Sequence, residues 1–422
     1  MATRYEYADK FESFRGRTLY ESLCDDDRAF LRRVAFEFRL TFQEFRRLAE
    51  TARDLSMWNE ERIEAWWEAG GAAGKRSKGS LLQSLNERVD ALKRRPTSYD
   101  RKDTARALIR RSKPVVVEQS EKTIWGPCPV ASEKTVCCNL RTIDAVENCV
   151  FGCSYCTVQT FYTDNVILDA NFAAKLKTVD LDPGRFYHFG TGQASDSLAW
   201  GNKNGLLDAL CSFAADHPNV LLEFKTKSDN VRYFLQHDVP RNVVCSWSLN
   251  TPTIIENEEH FTAPLDLRLD AARAVADRGV GVAFHFHPMV YYAGWDEDYP
   301  DVASRVIDRF DPAEVRFLSF GSVTLIKPAI REIRQTGNPT KILQAEFVSD
   351  PHGKQTYHDD IKVEMFSAMH KSFAAWQTRV FTYLCMETRS IWERSFGYVY
   401  DSNEEFEAEF GRMTLPENRR RT

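Results

Sequence analysis

Three cysteines in the middle of the chain have the spacing of a metal-binding loop. The segment ENCVFGCSYC carries Cys149, Cys153 and Cys156 in a C-x3-C-x2-C pattern. Thiolates are soft ligands that suit iron–sulfur clusters, and three of them leave one iron of a four-iron cubane without a protein ligand. That iron is free to bind a small molecule. The pattern therefore predicts a [4Fe–4S] cluster held by these three residues.

A zinc site and a chance group of buried thiols are the two other interpretations of these cysteines. A structural zinc site brings four ligands, commonly as paired C-x2-C knuckles. No second knuckle and no nearby histidine follows Cys156. The tight spacing, directly after a predicted strand, favours the cluster.

From about residue 140, β-rich runs alternate with helical segments of ten to fifteen residues. This alternation predicts βαβ units around a parallel sheet. We expect six strands, near 142–147, 185–190, 219–225, 242–249, 280–287 and 314–320. Six strands indicate an incomplete barrel, in which chemistry gathers at the carboxyl ends of the strands.

The sequence divides into three segments. Residues 1–112 have apolar residues at helical spacing and predict an N-terminal helical domain, 113–345 contain the predicted barrel, and 346–422 form an amphipathic C-terminal extension. The expected fold class is α/β: a partial (β/α)6 TIM-type barrel with an N-terminal helical domain and a C-terminal helical extension.

The cysteine pattern, with Tyr155 before its last cysteine, resembles the signature of the radical S-adenosylmethionine superfamily, whose core is a partial (β/α)6 barrel. Within it, residues 140–345 resemble the spore photoproduct lyase family. The matching stretches are CSYC, ASDSL at 194–198, EFKTKSDNVRYFL at 223–235, SWSLN at 246–250, LRLDAARAVADRGVGVAF at 267–284, Pro288 to Trp295, and IKPAIREI at 326–333.

This resemblance implies a cofactor and a reaction. S-adenosylmethionine would bind the open iron and be cleaved by one electron, from a donor such as flavodoxin or ferredoxin, to give a radical that takes hydrogen from a substrate. Carried over by position, Ser195, Lys227 and Ser248 are expected to contact S-adenosylmethionine, with Tyr155 beside its adenosyl part. Without the resemblance, Lys227 would be a solvated lysine and the serines ordinary loop or N-cap residues.

Three positions depart from the family's pattern. The family places a hydrogen-donating cysteine where this chain has Gln193, and a tyrosine where it has Thr157. An arginine of its lesion-binding stretch is replaced by Thr324 or Leu325. We therefore expect a nucleic-acid or nucleotide substrate other than the spore photoproduct.

Two histidines on the fifth predicted strand are further candidates. His285 and His287 are two residues apart, so both project to one face, toward either the barrel lumen or the helices. In the lumen they could bind substrate or transfer protons, which makes them candidate catalytic residues together with Tyr155. Hydrogen-bonded structural histidines are an equally good interpretation.

Other cysteines lie just upstream of the first predicted strand. Cys128, Cys137 and Cys138 could supply a hydrogen donor or ligands to a second cluster. Their spacing matches no metal-binding motif, so we favour a structural role for them.

The charge pattern bears on partners. From Lys75 to Lys113 there are thirteen Lys and Arg against four acids, although the whole chain has a formal charge of −5. This basic stretch is compatible with nucleic-acid binding, but a solvated helix face explains it better. The clustered cysteines and the lack of a long apolar run or signal-peptide pattern predict a cytoplasmic protein without a membrane span.

Two other functions are compatible with the sequence. The same radical chemistry could modify a peptide or small metabolite, with the N-terminal helices as a docking domain. A zinc-stabilised nucleic-acid-binding module is the alternative from a different class of protein.

Overall fold

The computed structural model describes residues 4–68, 77–99, 114–128, 134–161 and 165–416. The chain forms two compact units, one of residues 1–109 and 325–348 and the other of residues 110–324 and 349–422. This division differs from the three predicted segments, whose boundaries stay a prediction. In the described residues, no helix is long and apolar enough to span a membrane.

The first unit is built mainly of α-helices in its described residues, and those of its N-terminal part are at the apolar spacing that predicted helices. Its α-helices are Arg4–Arg15, Asp25–Phe38, Phe42–Met57, Ile63–Trp66, Lys78–Arg94 and Lys327–Thr336. The third begins with a capping box, in which the side chains of Thr41 and Glu44 each accept a hydrogen bond from the other's backbone amide. Arg334 pairs with Asp54 at 2.7 Å and ties the last helix of this unit to the third.

The second unit is built around an eight-stranded sheet. Its seven parallel strands are β1 (Arg141–Ile143), β2 (Tyr187–Thr191), β3 (Val220–Thr226), β4 (Val243–Ser248), β5 (Gly281–Met289), β6 (Val315–Ser322) and β7 (Phe381–Leu384). They lie side by side in chain order, and the strand Trp125–Pro127 pairs antiparallel with β1 at one edge. The six expected strands are present as β1 to β6, so the partial barrel is confirmed.

Helices connect and cover these strands. The α-helices of this unit are Phe172–Leu176, Leu206–Asp216, Arg232–Gln236, Pro252–Glu258, Leu265–Asp277, Trp295–Arg309, Asp359–Ser372, Arg389–Phe396 and Asn403–Thr414. Gly279 has a φ of +79° just beyond helix Leu265–Asp277, which is the left-handed C′ position expected for it.

The two faces of the sheet differ in chemistry because side chains alternate along each strand. On β3, Phe224 packs against Phe234 of a covering helix with ring centroids 5.4 Å apart. Its neighbour Glu223 points the other way and contacts His285 of β5 across the concave face. The apolar face therefore carries the helices, while the concave face is a polar lumen.

The first predicted strand is shorter than expected. We predicted residues 142–147, but β1 ends at Ile143. Val146–Glu147 pairs instead with Val166–Asp169, which also pairs with Val115–Glu118 in a separate three-stranded sheet. The chain leaves β1 at Asp144, whose half-buried carboxylate accepts backbone hydrogen bonds from the loop after β2.

The C-terminal extension is not wholly helical, and the count of six strands was one parallel strand too low. Phe381–Leu384 is β7, parallel to β6, and lies between helices Asp359–Ser372 and Arg389–Phe396. Short strands also occur at Thr324–Leu325, Val348–Ser349 and Gln355–Thr356. The last helix, Asn403–Thr414, packs on the concave face through Phe410, whose ring centroid is 4.8 Å from that of His188. The extension thus adds a seventh parallel strand to the partial barrel and fills part of its lumen.

Candidate active site

The loop with the three cysteines is held beyond the end of β1 by a short antiparallel pairing. Strand Gly152–Cys153 pairs with Glu259–His260, which follows helix Pro252–Glu258. The amide of Ser154 donates to the carbonyl of Glu258 at 2.8 Å, continuing the pairing. The loop is therefore fixed to a segment that the sequence places more than one hundred residues away.

The three thiols lie within electrostatic range of one another. Burial raises the pKa of Cys149 to about 12 and that of Cys153 well above its usual value, and Cys156 raises both further. The cation of Lys227 lowers the pKa of both thiols. Thiolates in this loop thus require a compensating cation, which Lys227 supplies in part and a bound metal centre would supply more strongly.

The donor set of this loop fits a cubane cluster. Among the described residues, no group of three or more His, Cys, Asp or Glu side chains is placed to hold a single metal ion. Three thiols without a fourth protein ligand match a [4Fe–4S] cluster with one open iron. The zinc interpretation of Cys149, Cys153 and Cys156 is therefore not favoured.

Tyr155 is anchored through its hydroxyl to a buried ion pair. Its phenol donates a hydrogen bond to the carboxylate of Glu259, which pairs with Arg268 at 2.7 Å. Burial alone would raise the pKa of Glu259, but Arg268 and Lys227 outweigh it and hold this pKa below its usual value. Glu259 is therefore a carboxylate, and it orients the ring of Tyr155 within the cysteine loop.

Lys227 reaches the same loop from the end of β3. Its ammonium nitrogen lies 5.8 Å from the centroid of the Tyr155 ring, within the range of a cation–π interaction. Its backbone amide donates to the buried carboxylate of Asp196 at 2.8 Å. The structure therefore brings Lys227 to the cysteine loop. Its contact with S-adenosylmethionine stays a prediction.

Ser195 supports the cysteine loop directly. Its hydroxyl donates to the carbonyl of Asn148 at 2.8 Å and accepts from the indole of Trp200 at 3.0 Å. The neighbouring Gly192 has a φ of +84°, and a Cβ there would lie 2.5 Å from the Ser197 hydroxyl, so only glycine fits this turn. Ser195 thus positions the residue before Cys149, and its predicted cofactor contact stays a prediction.

Ser248 is the last residue of β4, so it lies at the carboxyl ends of the parallel strands. It is buried, it lies opposite His285 of β5 in register, and its carbonyl accepts a hydrogen bond from Arg268 at 2.8 Å. Arg268 therefore connects Ser248 to Glu259 and, through it, to Tyr155. The predicted contact of the Ser248 hydroxyl with S-adenosylmethionine stays a prediction.

The two histidines of β5 face the lumen. His285 and His188 each bind one oxygen of the buried Glu223 carboxylate, the latter at 2.8 Å, and the Ser246 hydroxyl donates to the same carboxylate. Burial and the cation of Lys225 lower the pKa of His285 to about 4. His285 is therefore a neutral imidazole that donates to Glu223.

His287 lies one layer nearer to the open end of the barrel. Its ring centroid is 5.1 Å from that of His285, and its Nε2 lies 2.9 Å from the hydroxyl of Ser319 on β6. Burial, with Lys225 next in importance, lowers its pKa well below the usual value. Neutral imidazoles can accept or donate a proton, but a catalytic role for either histidine stays a prediction.

Sequence reasoning missed three residues that build the site. Asp196 lies in the ASDSL stretch and could have been identified as a site residue there. A carboxylate that follows a barrel strand lies at the carboxyl ends of the strands, where barrel active sites form. Glu259 lies in ENEEH, which resembles a solvated acidic turn, and Arg268 lies in a helix. No sequence signal identifies their pairing.

The positions that depart from the family pattern lie on three different segments of the chain. Gln193 is exposed on the loop after β2, where the family has its cysteine. Thr157 begins the 3-10 helix that follows the cysteine loop. In the loop after β6, the Thr324 hydroxyl lies 3.3 Å from that of Thr356, and Leu325 is fully buried. The described residues thus place no thiol at the position of Gln193.

Comparison with known proteins identifies the family. The sequence model described as "Spore photoproduct lyase" matches residues 140–372, more than half of the chain. The chain belongs to the spore photoproduct lyase family. The family that the matching stretches within residues 140–345 suggested is therefore confirmed.

Curated members of the family are distant relatives. The spore photoproduct lyase of Geobacillus sp. strain Y412MC61 is 26% identical over 208 residues, 47% of this chain and 61% of the relative. That of Clostridium acetobutylicum is 22% identical over 178 residues, 41% of this chain and 53% of the relative. The chain thus spans only about half to three fifths of these relatives.

Solved structures support the fold. Spore photoproduct lyase in a mutant form with bound AdoMet and dinucleoside spore photoproduct superposes with a TM-score of 0.55 at 20% identity, covering 64% of this chain and 81% of that one. Spore photoproduct lyase complexed with dinucleoside spore photoproduct superposes with a TM-score of 0.54, covering 64% of this chain and 82% of that one. The partial barrel is shared with these proteins.

Proposed function

We propose that this protein is a radical S-adenosylmethionine enzyme. The proposal rests on one observation: Lys227 lies beside the loop of Cys149, Cys153 and Cys156. This loop lies at the carboxyl ends of the strands, in the part of the chain that the family model matches. When bound, a [4Fe–4S] cluster with S-adenosylmethionine supplies a radical that abstracts hydrogen from a substrate. The electron that cleaves S-adenosylmethionine comes from an external donor such as flavodoxin or ferredoxin.

The protein's own residues position the cofactors in this proposal. The three cysteines hold the cluster, and Lys227 supplies a cation for the carboxylate of S-adenosylmethionine. Tyr155, fixed by Glu259, presents its ring beside the adenosyl group. The hydroxyls of Ser195 and Ser248 also lie near the carboxyl ends of the strands. They are the remaining expected contacts with S-adenosylmethionine.

The proposed substrate is a nucleic acid or nucleotide other than the spore photoproduct. Related structures bind a dinucleoside ligand, which supports the nucleic-acid class. Gln193 argues against the spore photoproduct itself, because an amide is a poor donor of hydrogen atoms. In the lumen, His285 and His287 offer neutral hydrogen-bonding groups to a base.

The basic stretch gives this substrate little support. Residues 75, 76 and 100–113 lie outside the described part of the chain, as do Arg419 to Arg421. In its described part, Lys78 pairs with Glu44 at 3.0 Å and Arg88 with Glu61 at 3.3 Å. Pairing with acids reduces the charge available to phosphates. The nucleic-acid proposal therefore depends on the family and the lumen.

One experiment tests the proposed function. The full chain is purified without oxygen, reduced, and incubated with S-adenosylmethionine, and 5′-deoxyadenosine is measured alone and with single-stranded DNA, duplex DNA, RNA or nucleosides. We expect cofactor cleavage that depends on reductant, with a mass change in one nucleic-acid class. Absence of 5′-deoxyadenosine from iron-loaded protein would contradict the enzyme class, and a modified peptide or metabolite would contradict the substrate class.

A further inference from the structure

Four cysteines outside the candidate active site meet where the two edges of the sheet approach each other. Cys128 extends the antiparallel edge strand, since its amide donates to the carbonyl of Leu140 at 2.9 Å. Cys137 and Cys138 lie in the segment that leads into β1. Cys385 directly follows β7, at the opposite edge, and its amide continues the pairing with β6. We call these four residues the seam cysteines.

A backbone bridge brings the two sides together. Val136 pairs antiparallel with Glu387, with the amide of the former donating to the carbonyl of the latter at 3.0 Å. In an antiparallel register that contains this pair, Cys138 stands opposite Cys385. This bridge brings together residues from the two ends of the sheet that are far apart in the sequence, which sequence reasoning could not show.

The C-terminal helix holds the cysteine segment in place. The amide of Cys137 donates to the Asn403 side chain at 2.9 Å, at the start of helix Asn403–Thr414. Next to it, Asn139 contacts Glu407 of the same helix at 3.4 Å. Because the segment is anchored by side chains from another element, its two thiols have a fixed position. This is the preorganisation that a ligand loop requires.

The thiols themselves lie close together. The side chains of Cys137 and Cys138 share a hydrogen bond. Cys385 and Cys128 act on the same thiol electrostatically. Lys225 of β3 is close enough to Cys385 and Cys128 for their charges to act on it, and it also feels Glu223 and Lys227. The seam cysteines therefore border the lumen, beside a cation that can offset the negative charge of thiolates.

We propose that Cys128, Cys137, Cys138 and Cys385 bind a second iron–sulfur cluster. Four thiolates provide one ligand for each iron of a [4Fe–4S] cubane, so this cluster would be coordinatively closed and unable to bind S-adenosylmethionine. Zinc is the other metal that accepts four thiolates, and zinc in place of iron is one of the outcomes that the test below separates.

Such a cluster would serve two purposes. It would link the segments that precede β1 and follow β7, which the bridge between Val136 and Glu387 already joins. It would also place a one-electron carrier beside Lys225 in the lumen. Both purposes go beyond the proposed reaction and do not depend on it.

The test removes the first cluster and asks what remains. The full chain with Cys149→Ala, Cys153→Ala and Cys156→Ala is purified without oxygen, and iron, sulfide and zinc are measured per chain. We expect about four irons and four sulfides to remain, against about eight of each in the unchanged protein. After reduction, the paramagnetic resonance signal of the remaining cluster should not change on addition of S-adenosylmethionine.

A second set of variants assigns the ligands. In the background of the triple variant, adding Cys128→Ser and Cys385→Ser should remove the remaining iron. Adding Cys211→Ser and Cys245→Ser, which alter buried cysteines of a helix and of β4, should leave it unchanged. Far-ultraviolet circular dichroism of both variants establishes that each is folded.

Three outcomes would overturn the inference. The inference fails if the triple variant contains no iron, or if it contains zinc in place of iron. It also fails if the iron remains after Cys128→Ser and Cys385→Ser are added. The proposed function fails separately, when the unchanged protein contains only the iron that the triple variant retains. The two claims are therefore distinguished by the same metal analysis.

Discussion

The carboxylate of Glu259 and the guanidinium of Arg268 lie 2.7 Å apart, and neither side chain has any exposed surface. Arg268 also donates to the carbonyls of Ala263 and Ser248 at 2.7 and 2.8 Å. The phenol of Tyr155 completes the set around the carboxylate. One buried ion pair thus ties the end of β4, the segment paired with the cysteine loop, and the tyrosine of that loop.

Glu259→Gln should destabilise the protein strongly. The substitution keeps the size of the side chain but leaves the buried charge of Arg268 without a partner, which costs about 3–5 kcal/mol. The thermal midpoint of the second unit should fall by several degrees. Glu256→Gln, on the exposed side of the preceding helix, is the matched control and should change stability by less than about 0.5 kcal/mol. Equal midpoints for the two variants would show that the ion pair is not structural.

Lys227→Ala should weaken S-adenosylmethionine binding while iron content stays unchanged. It removes one charge-assisted contact, worth about 1.5–3 kcal/mol, or roughly 10- to 150-fold in Kd. Equilibrium titration of the cluster-loaded protein measures the change. Lys203→Ala removes an exposed lysine elsewhere in the same unit and should leave Kd unaltered. If Lys227→Ala binds as tightly as Lys203→Ala, Lys227 does not contact the cofactor.

Stability should fall as the pH drops from about 6.5 toward 4, in part because of His285. Burial and Lys225 lower its pKa from 6.5 to about 4 in the folded protein. In this range the unfolded chain binds a proton that the folded one does not, so acid favours unfolding by up to about 1.4 kcal/mol per pH unit. Above pH 6.5 the residue is neutral in both states and contributes no pH dependence.

His285→Asn should therefore flatten the profile of stability against pH over this range. Denaturant unfolding at several pH values measures it, with His237→Asn as a control at an exposed position. Parallel profiles for His285→Asn and the unchanged protein would mean that the pKa of His285 is the same in the folded and the unfolded chain.

Much of the fold was predictable because the strands of a barrel are apolar and periodic. The strands β2 to β6 were expected within about two residues of their observed bounds. By contrast, β7 is the four-residue run FTYL inside an amphipathic stretch, and a run of that length is equally compatible with a helix. Tertiary pairing with β6 decides its conformation, and no local pattern shows that pairing.

The candidate site was predictable only where local motif and chemistry coincide. Cys149, Cys153 and Cys156 lie within one loop, so their spacing alone identified them. Glu259 and Cys385 act through partners far away in sequence, and each lies in a segment without a motif. Long-range pairs of this kind become visible only in three dimensions.

The protein should not repair spore photoproduct at a catalytic rate. After radical attack the product radical must receive a hydrogen atom, and Gln193 offers only strong N–H bonds where the family has a thiol. Reduced protein, S-adenosylmethionine and a synthetic dinucleoside spore photoproduct provide the test, with chromatography of the products. We expect 5′-deoxyadenosine without release of thymine nucleosides. Efficient repair would require a thiol from another element, and the seam cysteines would be the first to substitute.

The most direct test of the whole account compares the unchanged protein with three single variants, Cys149→Ala, Cys153→Ala and Cys156→Ala. Each is purified without oxygen, reduced, and assayed for 5′-deoxyadenosine formed from S-adenosylmethionine. We expect turnover in the unchanged protein and none above background in any variant, because loss of one thiolate removes the cluster with its single open iron. Cys211→Ala, at a buried cysteine of a covering helix, should retain full turnover. Cofactor cleavage that persists in any of the three variants would contradict the assignment of these cysteines.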